Sequence, residues 1–220
     1  MPPSRLPPRQ TAGRVWLPLL AAGLVGLAGY FGPWVAHRAS GLIVSGLDMG
    51  EYVKFVPQVL TGQIAVRREV FYLPLFAGSL MASLLASRRA LPRWLRILLG
   101  LAAIPLALAL LPPAWSPASL QLPEFRLQMA ALLFCLLMAP AVIVTRYLPD
   151  RLVLVLIAAL AVPAAILPAW GFLQVRPAVV GLYRQPFRLG WGFWAELIGF
   201  LFVAFWAIAA ALTHSTSRRD

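Results

Sequence analysis

Six apolar runs, at 15–35, 70–87, 91–111, 127–145, 152–169 and 193–212, take up most of this chain and dictate what it can fold into. A helix needs about 20 such residues to cross the hydrocarbon of a bilayer, and each run reaches or approaches that length. Of the 220 residues, 61% are hydrophobic and 12% charged, against roughly 45–50% and about 25% in a soluble domain. A soluble fold is thereby excluded, and no room remains for a separate catalytic domain. The expected architecture is an all-α integral membrane protein, a six-transmembrane-helix bundle with one short amphipathic outer helix between spans 1 and 2. Residues 1–14 read as a Pro/Arg-rich extended arm, 15–213 as a single transmembrane domain and 214–220 as a tail. The first run is read as a span rather than a cleaved leader, because it is long and no Ala-x-Ala site follows it. Pro74, Pro105, Pro140 and Pro163 fall inside runs and predict kinks rather than breaks.

The formal net charge is +12, and every basic residue except Lys54 is arginine. The arginines gather at span ends, which points to orientation and headgroup contact rather than to nucleic acid. Six crossings put both termini on one side, and that side collects eleven Lys and Arg residues against eight on the other. The short connections SRRALPR and TRYLPDR lie on the richer side, so both termini are predicted to be cytoplasmic.

Small residues let helices approach closely where lipid supplies no hydrophobic drive. Ala22, Gly26 and Gly29 share one face of span 1, and Gly78, Ala82 and Ala86 recur every four residues in span 2. These six residues are the candidate helix-packing or partner face.

Two outer segments carry most of the remaining information. In GLDMGEYVKFVPQVL, Asp48 followed by Glu51 resembles a reciprocal capping pair, predicting a helix from about Met49. Its apolar face would hold Tyr52, Val53, Val56, Val59 and Leu60. The stretch from Trp170 to Glu196 reads as an aromatic outer loop, at about 170–192, and the head of the last span. Within it Arg184, Arg188, Trp191, Trp194 and Glu196 are the candidate contacts for a lipid or ligand, the charges for a polar head and the rings for an apolar body. Glu196 is expected in the first turn of the final helix, complementing its dipole and pairing with an arginine of the loop.

Chemistry for bond-making is sparse. Cys135 stands alone, His37 and His214 are predicted at opposite faces, and neither a metal-ligand spacing nor a phosphate-binding glycine loop occurs. The chain therefore reads as a non-enzyme without cofactor or metal, and without a nucleic-acid partner. Its expected partners are the lipid bilayer and other membrane subunits. The leading functional expectation is an accessory or anchoring subunit of a larger membrane complex, a transporter or an energy-converting assembly. The alternative is a permease, or a protein binding lipid or another hydrophobic ligand at the outer leaflet.

Overall fold

Glycine determines which helices meet at the centre. The computed structural model describes residues 8–36, 43–112, 116, 122–183 and 187–216. Helix α1 (Pro8–Phe31) and the last helix, α9 (Trp191–Thr216), run antiparallel. A Cβ built on Gly29 would lie 2.2 Å from the backbone nitrogen of Glu196, and one on Gly199 would lie 2.5 Å from that of Gly26 and 2.9 Å from the Ala22 carbonyl oxygen. Only backbone fits there. At the other end of the same seam the Trp206 indole donates to the Val15 carbonyl at 3.0 Å.

The remaining helices are α4 (Leu73–Ala86), entered through a 3-10 turn at Arg68–Tyr72, α5 (Arg93–Leu108), α6 (Arg126–Met138), α7 (Val142–Thr145) and α8 (Asp150–Tyr183). Their side chains form two apolar clusters at opposite ends. One collects Trp16, Leu85, Leu91, Leu154 and Ala210, and the other Tyr30, Trp34, Phe71, Leu110, Phe172 and Phe193. Successive passes therefore alternate direction. Around the second cluster a small sheet ties the connections together. Strand β1 (Pro33–Ala36) pairs antiparallel with β2 (Val44–Ser45) on one side and β3 (Arg188–Leu189) on the other, with Val35 opposite Val44 and Leu189. Such short strands have no periodicity to read in sequence.

The chain is thus mostly helical with a small sheet, and three helices, Arg68–Ala86, Asp150–Gly181 and Trp191–Thr213, are long and apolar enough to cross a membrane. Val15–Phe31 is a shorter apolar helix. These features mark a membrane-associated protein.

Several expected boundaries move. Helix α1 already begins at Pro8, within the segment expected to be an extended arm. Pro140 breaks rather than kinks: it lies between α6 and α7, and the chain restarts as a single turn. The aromatic loop expected from Trp170 is helical as far as Tyr183, because α8 continues through Pro163, Pro168 and Pro177. At about 1.5 Å per residue this helix is about 51 Å long, well beyond a hydrocarbon core of about 30 Å. Its last turns pack on the sheet end, where Gly171 faces Val66, Val70 and Phe71.

The small-residue faces turn inward. Ala22, Gly26 and Gly29 lie against α9, and a Cβ on Gly78 would meet the Leu27 side chain at 2.9 Å. Ala82 and Ala86 are buried too. Of the two roles considered for these stripes, the structure uses packing within the chain.

Candidate functional site

The connection after α1 folds into a polar platform. Ser45 caps helix α2 (Gly46–Tyr52): its hydroxyl accepts from the Asp48 amide and donates to the Asp48 carboxylate, which also accepts from the Ser45 amide at 2.9 Å. The reciprocal cap thus sits three residues earlier than expected. Asp48 plays the part assigned to Glu51, which releases Glu51 for other contacts. The continuous amphipathic helix is also corrected. After a 3-10 turn at Val53–Phe55, Val56 is extended (φ −73°, ψ 117°) because Pro57 follows it, and α3 (Pro57–Leu60) starts afresh. Val53 and Val56 are buried, whereas Leu60 is exposed.

Freed from capping, Glu51 organises a network. It accepts from Lys54, and from the Tyr72 hydroxyl at 2.6 Å. A Cβ on Gly50 would lie 2.8 Å from the Tyr72 ring, so glycine is what lets that ring come so close to α2. Burial alone would raise the Glu51 carboxyl, but the Lys54 ammonium, the Tyr72 hydroxyl and the Arg68 guanidinium together hold it below its ordinary value. Tyr52, on the next position, is shifted up by burial.

Arg68 is the centre of this arrangement. It is buried, its guanidinium lies 4.7 Å from the Phe125 ring centroid and 5.8 Å from that of Tyr72, and one nitrogen donates to the Gln128 side-chain carbonyl. Gln128 in turn donates to the Leu110 carbonyl at 2.5 Å. The Arg68 Nη1 atom is 3.7 Å from Glu51, an ion pair too long for a hydrogen bond, and Nε and Nη1 have no acceptor among the described residues. Next to this group is a cavity of about 200 Å³ lined by Leu73, Phe76, Leu110, Leu127 and Ala131 with Glu69, Tyr72 and Gln128. Buried donors without acceptors beside an apolar cavity suit an amphiphile whose head can accept hydrogen bonds.

The residues proposed from sequence do not converge. Arg184 and His37 lie outside the described residues. Arg188 is exposed on β3 and makes no ion pair with Glu196. Trp191 and Trp194 are exposed on the outer face of α9, whereas Glu196 shares the inner face with Phe193 and Phe200 and is fully buried. Since α9 starts at Trp191, Glu196 belongs to its second turn and not its first. Neither carboxylate oxygen has a hydrogen-bond partner among the described residues, so the expected pairing is not made by Arg176 or Arg188. The aromatic density near it has a different use. Trp34 meets Phe71, Phe172 and Phe193 edge-on at centroid distances of 6.4, 5.4 and 5.5 Å, a buried cluster under the sheet.

Arg68 and Gln128 carry only a weak signal in the sequence, an arginine pair and a glutamine at the edges of apolar runs, where such residues ordinarily anchor span ends, and Tyr72 carries none. No family model, curated protein or solved structure matches this chain, so its own geometry carries the functional reading.

Proposed function

We propose that the protein is a non-enzymatic, integral membrane protein that crosses the bilayer six times with both termini in the cytoplasm. It binds a lipid or other hydrophobic ligand at the end of the bundle that carries the sheet. The alternation of passes between the two clusters supports six crossings, and the arginine bias supports the orientation. One observation carries the binding reading. Arg68 is a buried cation with donors unmatched among the described residues, held by Gln128 and two aromatic rings beside an apolar cavity. A ligand head would accept from Arg68 while its apolar part fills the space between Phe76, Leu110 and Ala131.

Native mass spectrometry after mild extraction tests this. The wild-type chain should retain a small hydrophobic ligand. A131F, which fills the cavity, should release it, and R68Q should weaken its retention by about ten- to a hundredfold, the worth of a charge-assisted hydrogen bond. A wild-type chain that carries no ligand, or an A131F chain that retains it unchanged, would overturn the reading.

A second reading, an accessory or anchoring subunit of a larger complex, draws on a separate observation. Helix α5 exposes Trp94, Ile97, Leu98, Leu101 and Leu108, a continuous apolar face. Neighbouring subunits would cover that face. Stoichiometric partner chains in the intact-mass spectrum would support it, and a monomer stable without them would exclude it.

A further inference from the structure

The opposite end of the bundle has a groove of its own. It measures about 530 Å³ and runs between α5 and the α6–α7 break, lined by Ile97, Leu101 and Ile104 on one side and by Leu136, Pro140 and Ile143 on the other. Ala86, Gly100 and Ala139 widen it, and a Cβ on Gly100 would only just touch Ala86, at 3.9 Å. Among the described residues the one charged side chain lining it is Arg96, whose Nε is buried with no acceptor among them.

The charge around this groove is one-sided. Arg88 is consumed by Asp150 and by the carbonyls of Thr145 and Leu148. Arg89, Arg93 and Arg96 make no ion pair among the described residues. Arg93 and Arg96 also stand in the first turn of α5, which contains no acidic residue. Cations at the positive end of a helix dipole are unfavourable unless an anion compensates them. An apolar trough ending in uncompensated arginines is complementary to one class of molecule, an amphiphile with an acyl chain and an anionic phosphate head.

We propose that this groove binds an anionic phospholipid, with the phosphate on Arg96 and one acyl chain along Ile97, Leu101 and Ile104. The site is remote from Arg68 and does not depend on the reading given for that residue. It fixes a lipid at the arginine-rich end, where helix α5 has few contacts of its own with α7.

The test uses full-length protein reconstituted in phosphatidylcholine vesicles, with spin-labelled phosphatidylglycerol or spin-labelled phosphatidylcholine as the probe. Electron paramagnetic resonance then reads the motionally restricted fraction of each. Wild type should prefer phosphatidylglycerol by about fivefold, the effect of one arginine near an anionic headgroup. R96Q should abolish the preference. G100L should lower restriction of both probes by filling the groove without removing charge, and R151Q, an exposed arginine outside it, should change nothing. Circular dichroism and a monodisperse elution profile confirm that each variant is folded. Equal restriction of the two lipids by wild type, or R151Q acting like R96Q, would overturn the proposal. So would photocrosslinking from Ile104 to another protein in native membranes, which would assign the groove to a helix.

Discussion

The close backbone approach of α1 and α9 offers a sharp test of the packing. In G29A the new methyl would lie 2.2 Å from the Glu196 nitrogen and 2.7 Å from both the Ala195 carbonyl carbon and the Gly192 oxygen, where ordinary contact begins near 3.4 Å. Every obstacle is backbone, so no side chain can swing aside. Helix α1 must withdraw from α9 by about 1 Å, loosening the contacts of Gly26 with Gly199 and Phe200 as well. Overpacking of this kind costs about 1–3 kcal/mol, and lost dispersion along the seam adds to it. The gain from replacing glycine by alanine within a helix is only about 0.5–1 kcal/mol. The net expectation is a loss of about 2 kcal/mol, a roughly thirtyfold fall in the ratio of folded to unfolded protein. G23A supplies the control, since nothing lies within 4 Å of the position its methyl would occupy, and it should be neutral or slightly stabilising. Tryptophan fluorescence during denaturation in mixed micelles compares the two. Equal midpoints for G29A and G23A would refute the close-packed α1–α9 seam.

Three further outcomes follow from individual residues. R88A should cost about 2–4 kcal/mol in the same denaturation assay, because it strands buried carbonyls at the α4–α8 corner. D150N, which removes a carboxylate that is itself half exposed, should cost under about 1 kcal/mol, and a comparable loss in both variants would contradict this division. Since Glu51 is held below its ordinary value, its contribution is complete at neutral pH and disappears as pH falls through that lowered value. A thermal-midpoint profile should therefore drop at acid pH in wild type and flatten in E51Q; identical profiles would show the network adds no pH-linked stability. E196M should leave the midpoint unchanged or raise it, because an apolar side chain of similar size replaces a buried carboxyl with no partner among the described residues. A loss above about 2 kcal/mol would show that the carboxyl has a partner.

The sequence was most readable where one residue type permits one outcome. Ala22, Gly26 and Gly29 could be placed on a packing face from spacing alone, since glycine on a helix in lipid has few other uses. Choosing between a partner and another helix of the same chain required α9, which follows more than 160 residues later. Boundaries failed for a related reason. Pro140 and Pro163 look alike in sequence, yet one separates two helices and the other lies inside a helix of 34 residues. What a proline does depends on whether neighbours satisfy the carbonyl it frees, a tertiary fact absent from local pattern. The capping pair was found at the right spacing but one turn late, because Ser45, Asp48 and Glu51 all stand three apart and both registers satisfy the rule.

The candidate site shows why function was harder to read than fold. Tryptophan, arginine and glutamate in the segment before the last span were the conspicuous chemistry, and their nearness in sequence suggested nearness in space. A helix undoes that inference: Trp194 and Glu196 are two residues apart, about 200° around the axis, so one faces outward and the other is buried. Arg68 and Gln128, sixty residues apart, meet because α4 and α6 bring their sheet-end turns together. In a bundle of alternating passes, the residues able to share a ligand are those at the same depth on different helices. A search for membrane-protein sites in single sequences should therefore compare polar residues at matching distances from run ends before it compares neighbours along the chain.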